Sequence, residues 1–296
     1  MRNIDSSKGL RGAVVAIVVA LAAMSALQAF PPALHQEVFG TIRDERGNPF
    51  SLAGAEVLMD VGGATVAKAA VTPTPVNGAN YQLIIPLDTG STGDKYHPSA
   101  LFPAVGFRLK VRAGVATYLP MEMTGAASLM TRAGAVARTD LTLGVDSDGD
   151  GLPDAWERDL MAALGWSRPL SEILPGDDAD GDGMSNLNEY LAGTYAFDPA
   201  DGFTMTIKGT KDGAAGLEFT AVRGRTYVVQ GSGDFKTWSL LPFVLQTDPP
   251  EASPRKNFSV GSGRTRLVRI WTRPSIADAP VTGGETSYKF YKLVVQ

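Results

Sequence analysis

Two stretches of the chain set oxygen-bearing side chains at alternate positions. Residues 146–157 read DSDGDGLPDAWE and residues 178–189 read DADGDGMSNLNE. In the first, counted from Asp146, carboxylates fall at positions one, three, five, nine and twelve: Asp146, Asp148, Asp150, Asp154 and Glu157. The second places Asp178, Asp180, Asp182, Asn186 and Glu189 at the same positions. Position six is Gly151 or Gly183, where the chain must turn sharply. Position seven is Leu152 or Met184, which offers only its carbonyl oxygen, so its side chain is free to be apolar. The chemistry this spacing serves is ligation of a hard divalent cation, which takes six to eight oxygens at about 2.3–2.6 Å. Alternate residues of a tight loop aim their oxygens at one centre, and Glu157 and Glu189 each add two from a following helix. Without an ion the carboxylates of each loop repel one another. Calcium fits this demand. Magnesium is the lesser alternative, because it prefers a tight octahedron and keeps its waters.

The elements that must position these ligands are short. PDAWERDLMAAL, 153–164, suits a helix with Pro153 at its start and Gly165 as its stop. Ser185 can cap a second helix over 186–192, with Gly193 after it. Before the first loop, LTLGV reads as a strand. Before the second there is only a short stretch, Ser171–Leu174, followed by Pro175-Gly176. Each unit is therefore loop-then-helix, with the ligand pattern of an EF-hand but no incoming helix. Pro153 also removes an amide at loop position eight, through which paired EF-hand loops bond to each other. An opening switch is not expected. The segment 146–195 resembles the calcium segments of secreted bacterial multidomain proteins, related to thrombospondin type 3 repeats and to dockerins. That resemblance implies two bound calcium ions. A dockerin also grips a partner through loop positions ten and eleven. Here these are Ala155-Trp156 and Leu187-Asn188, which do not repeat each other.

Charge divides the chain around these loops. The formal net charge is −4, but residues 146–202 hold 14 acidic and 2 basic side chains. Residues 36–145 hold 9 of each, and residues 203–296 hold 7 acidic and 13 basic. Ahead of them, Arg2, Lys8 and Arg11 precede the apolar run GAVVAIVVALAAMSAL, and Leu27-Gln28-Ala29 leads into Phe30-Pro31-Pro32. This reads as a signal peptide over 1–29, cleaved after Ala29, and so as an exported protein, secreted or at the cell surface. A permanent anchor is the alternative; the run is short for one.

Both flanks read as β. In the N-terminal part, strands are predicted at 38–43, 53–58, 64–71, 80–86, 105–112, 115–121 and 136–145, separated by Gly, Pro and Asn turns. GTIRDERGNPFSLAGAEVLM resembles the opening of carboxypeptidase-regulatory-like domains, which implies a transthyretin-like sandwich serving as spacer or recognition module. In the C-terminal part, strands are predicted near 203–208, 216–222, 225–230, 237–241, 256–260, 265–272 and 287–295. YVVQGSGDFKTW and the ending FYKLVV resemble a β-sandwich module at the ends of secreted bacterial proteins, with Tyr227, Asp234 and Trp238 on its pattern. Trp238, Trp271, Tyr288, Phe290 and Tyr291 are either core residues or sugar-stacking aromatics. Arg264 and Arg266 share one strand face and Arg269 and Arg273 the other, which splits the basic patch and argues against nucleic acid or another polyanion.

Little points to catalysis. Cysteine is absent and histidine occurs twice, at His35 and His97, so thiolate chemistry, most zinc sites and Ser-His-Asp machinery lack their residues. No GxSxG or HExxH occurs, and GSTGDK at 90–95 has the wrong spacing for a phosphate loop. The expected fold is mainly β: two β-sandwiches, 30–145 and 203–296, joined by a small helical two-calcium segment, 146–202. The expected role is that of a non-enzymatic modular protein in adhesion or surface structure. A polysaccharide- or protein-binding module is the alternative, and an accessory part of a polysaccharide-degrading system comes third.

Overall fold

The computed structural model describes residues 35–88, 100–101, 107–125, 134–211, 213–260, 265–273 and 288–295. The predicted leader, His97, the GSTGDK stretch, the turn at 261–263 and Arg264 lie outside these residues. The chain is mainly β. Its first eight strands are β1 (Gln36–Gly40), β2 (Ile42–Arg43), β3 (Glu56–Val61), β4 (Ala64–Ala70), β5 (Tyr81–Ile85), β6 (Arg108–Ala113), β7 (Ala116–Gly125) and β8 (Val136–Asp146). They arise from period-two alternation. In β5, for example, Tyr81, Leu83 and Ile85 are buried while Gln82 and Ile84 face out.

These strands form one hydrogen-bonded sheet, ordered β4-β3-β6-β7-β8-β1-β5, with β2 also on β8. β8 has 11 residues and is the hinge of this arrangement. β7 pairs along it antiparallel, while β1 and β2 pair with it in parallel. One sheet thus folds over on its own core, which holds Val38, Ile42, Met59, Leu83, Leu141 and Leu143. β1 comes close to β8 at Gly40, where a Cβ would stand 2.0 Å from the Thr139 carbonyl oxygen. The β7–β8 register shifts between Pro120 and Glu122, so that Met121 is the extra residue of a bulge directly after a proline.

The C-terminal strands are β9 (Met205–Lys211), β10 (Ala214–Val222), β11 (Thr226–Ser232), β12 (Ser239–Leu241), β13 (Phe243–Leu245), β14 (Phe258–Ser259), β15 (Thr265–Thr272) and β16 (Phe290–Val295). They make two four-stranded sheets. One is ordered β13-β15-β10-β9; the other is β12-β11-β14 with β16 on β11. Both sheets contribute to one core around Phe219, Tyr227, Val229, Phe243 and Ile270. The Tyr227 hydroxyl is not left unpaired in that core, because it accepts a 2.6 Å hydrogen bond from the Val222 amide.

Between the two β parts lie helix α1 (Asp154–Leu164), a 3-10 turn at Leu170–Glu172, and helix α2 (Asn186–Ala192). α1 starts after Pro153 and ends at Gly165 in the left-handed conformation; α2 ends the same way at Gly193. Ser185 caps α2 by accepting from the Asn188 amide at 3.4 Å. α1, the end of the 3-10 turn and the stretch after α2 share a small core of Leu160, Ile173 and Ala196, with Trp156, Leu164 and Trp166 packed on it. Trp156 and Tyr190 meet edge to face at 6.1 Å.

Candidate metal centre

Loop one grows directly out of the sheet, since Asp146 is both the last residue of β8 and the first predicted ligand. Its two carboxylate oxygens accept from the Gly149 amide at 2.8 Å and the Gly151 amide at 3.3 Å. Asp178 organises loop two in the same way, accepting from Gly181 at 2.8 Å and Gly183 at 2.9 Å. The second turn of each loop needs its glycine: φ is +97° at Gly151 and +99° at Gly183, a region L side chains rarely occupy. The Asp150 carboxylate accepts from the Leu152 amide, and that of Asp182 from the Met184 amide. Both loops therefore wind around a chain of aspartates whose remaining lone pairs point elsewhere.

In each loop the first three aspartates come together. Asp146, Asp148 and Asp150 each offer an oxygen within 4.8 Å of the others, as do Asp178, Asp180 and Asp182. Oxygens that close together can face one divalent cation. The helices supply the other donors. Glu157 and Glu189 are fully buried, with no relative exposure, although both are acids. Neither oxygen of Glu157 has a hydrogen-bond partner, and Glu189 Oε2, Asp150 Oδ2, Asp180 Oδ2 and Asn186 Oδ1 are likewise buried and unpartnered. Leaving a buried acceptor in that state costs about 1–3 kcal/mol, and more where it is charged. Elsewhere among the described residues Thr139 Oγ1 and Arg225 Nε are in the same state, but these six atoms belong to predicted ligands at positions three, five, nine and twelve. This is the donor set a hard cation requires, and the residues fit it.

The electrostatics agree with that geometry. Burial, and then the charges of Asp150, Asp148, Asp154 and Asp146, push the Glu157 carboxyl up to about 8. Burial and the nearby Asp180 and Asp182 push Glu189 up to about 7. Burial and neighbouring aspartates raise Asp150 and Asp180 as well.

The remaining predicted positions have mixed surroundings. Asp154, at position nine of loop one, accepts from the Ser147 amide at 2.8 Å and lies 3.7 Å from Arg158, which also reaches Glu45. Asn186, at position nine of loop two, donates its amide to the Leu174 carbonyl at 2.9 Å, which turns its oxygen the other way. Leu152 is fully buried, and the sulfur of Met184 accepts from the Phe203 amide at 3.3 Å, so both position-seven side chains serve packing. Spacing alone did not reveal Thr194, whose hydroxyl donates to Glu189 Oε1 at 3.3 Å, or the Leu174 carbonyl that orients Asn186. Neither carries a sequence signal, because one lies just past its helix and the other acts through its backbone. Comparison of the chain with protein-family models, with curated proteins and with solved structures gives no match.

Proposed function

We propose that the chain binds two calcium ions, one in Asp146–Glu157 and one in Asp178–Glu189, and that these ions hold the segment between its two β parts. The reading rests on one observation above the rest: among the described residues, six of the seven buried side-chain oxygens without hydrogen-bond partners belong to predicted ligands of these two loops, the seventh being Thr139 Oγ1 in β8, and Glu157, Glu189 and Asn186 turn theirs inward from the helices. On this reading the protein is an exported, non-enzymatic modular protein of adhesion or surface structure, with the calcium segment as a stiff joint. The signal-like start over 1–29 and the resemblances of the flanking sequences support that setting. Among the described residues no helix is long and apolar enough to cross a membrane.

Calorimetry and native mass spectrometry on the protein stripped of metal test the proposal. Two calcium ions per chain are expected, one after Glu157→Gln or Glu189→Gln, and none at the same concentration after both. Absence of calcium uptake, or magnesium bound in preference, would overturn it. Mass spectrometry of exported protein checks the setting, with a mature start near Phe30 expected.

A further inference from the structure

The two candidate loops share a ligand pattern but not a setting. Loop one is clasped to the N-terminal sheet. Asp146, its first ligand, still pairs with Thr117 of β7 and is only 8% exposed. Pro153, at position eight, folds back on the strand that the loop leaves: a Cβ on Gly144 of β8 would stand 3.0 Å from the Pro153 Cβ. Leu152, at position seven, is fully buried. Asp154, at position nine, is 6% exposed and already holds the Ser147 amide at 2.8 Å.

Among the described residues no strand adjoins loop two. It follows the 3-10 turn at Leu170–Glu172, Pro175 and Gly176, and it leads into α2. Its first ligand, Asp178, is exposed, and Asp180 and Asp182 are half-buried. Backbone of the same stretch braces it: the Asn186 amide donates to the Asp177 carbonyl at 2.7 Å, and the Leu187 amide to the Pro175 carbonyl at 3.0 Å. Position nine is the neutral Asn186, so loop one brings five carboxylates and loop two four. Arg158 lies 3.7 Å from Asp154 of loop one, but its side chain is half exposed and water screens it.

Past α2 the chain comes back over loop two on its way into the C-terminal strands. A Cβ on Gly202 would stand 2.7 Å from Asp182 Oδ2, and the Phe203 amide donates to the Met184 sulfur at 3.3 Å. Phe203 in turn stacks on Tyr227 of the C-terminal core, with ring centres 5.9 Å apart. Order in loop two is thereby linked to order in the stretch that enters the C-terminal part.

We propose that the loops fill in sequence, loop one first and loop two only at about tenfold or more higher calcium, so that loop two is the calcium-sensitive end of the joint. The affinity of such a loop rises with the number of ligand charges and with the rigidity of the site. Buried carboxylates attract a cation through less screening than exposed ones. A loop pinned to a sheet has less freedom to lose when it closes on an ion. All three effects favour loop one. At intermediate calcium, loop one stays one unit with the N-terminal sheet, while 178–203 loosens at its link to the C-terminal strands. The inference rests on the calcium reading and adds to it an order of filling and a direction of opening.

Native mass spectrometry and amide exchange of the full chain, stripped of metal and titrated with calcium, test it. A one-ion species is expected over at least about a tenfold range of free calcium. Within that range 146–164 should be protected, while amides of 178–203 exchange as in metal-free protein. Glu189→Gln should keep the tight step and lose the weak one. Asp154→Asn keeps the oxygen that holds the Ser147 amide and removes one charge. It should weaken the tight step severalfold and leave the weak step unchanged, and it serves where Glu157→Gln does not fold. Two ions bound in a single step, or protection of 178–203 ahead of 146–164, would overturn the order and leave the calcium reading standing. An unaltered tight step in Asp154→Asn would overturn charge count as its cause. No calcium uptake by the wild-type chain would overturn the calcium reading, and the order with it.

Discussion

The phenol oxygen of Tyr190, in the helix that follows loop two, donates a 2.7 Å hydrogen bond to the backbone carbonyl of Pro120 in β7. The carbonyl of Tyr190 in turn accepts from Arg225 Nη2 at 2.8 Å, and its ring meets Trp156 of the other helix. One residue of the helical segment therefore touches the N-terminal sheet, the turn between β10 and β11, and the first helix. Tyr190→Phe keeps the ring and removes the bond, leaving a buried carbonyl unpaired. A loss of about 1–2 kcal/mol is expected, read by denaturant unfolding in saturating calcium. Unchanged stability would mean that water replaces the phenol at Pro120.

Gly224 is the matching contact from the C-terminal side. Its φ is +84°, and a Cβ there would stand 2.3 Å from the Met123 carbonyl oxygen, a backbone atom with no room to yield. Gly224→Ala should destabilise the protein by about 2 kcal/mol or more, combining overpacking with backbone strain. Gly47→Ala, at φ +85° with nothing within 4 Å, isolates the backbone component. If both variants cost the same, the close approach to β7 contributes nothing.

The raised carboxyls make a signed pH prediction. A group whose folded value lies above its unfolded one stabilises the fold while protonated. That contribution is complete below about 4.5 and lost as pH rises through about 7 for Glu189 and about 8 for Glu157. Metal-free protein should therefore unfold more easily at pH 8.5 than at pH 5.5, roughly speaking, and excess calcium should abolish that trend. Calcium uptake near neutral pH should release protons, so its heat should vary with the ionisation enthalpy of the buffer. A heat independent of buffer would count against the buried glutamates as ligands.

Chelation should act locally. Each β part has its own apolar core, whereas the helical segment is held by few core residues and by the loops themselves. Ligand bound only by the folded state stabilises it by about 2.7 kcal/mol per site at a hundredfold excess over Kd. Removing calcium should expose 146–202 to protease and to amide exchange while β5 and β10 stay protected, and calcium should reverse this. Uniform loss of protection would instead make the ions essential to the whole fold, and no change would remove them from the joint.

Much of the local structure was legible before any coordinates. Asp and Gly at fixed offsets give the loops, because the glycines must take positive φ and the aspartates must hold the neighbouring amides, all within twelve residues. The spans 154–164 and 186–192 follow from Pro153, Ser185, Gly165 and Gly193 for the same local reasons, and period-two alternation marks most strands. The three-residue strand β13 was not legible: Phe243–Leu245 is too short for alternation to show, and its identity comes from pairing with β15. The expected two-layer sandwich in the N-terminal part takes the form of one eight-stranded sheet, because β8 pairs on both of its edges, and edge pairing leaves no mark on spacing. The same limit applies to the sites. The sequence by itself determined which residues carry oxygens at ligand positions, since that is a matter of offset along the chain. Only the tertiary structure decided that those oxygens are buried without partners, that Tyr190 reaches Pro120 across 70 residues, and that the Trp271 ring packs over Gly216. Those are contacts between strands and helices brought together by core packing, and no local pattern encodes them.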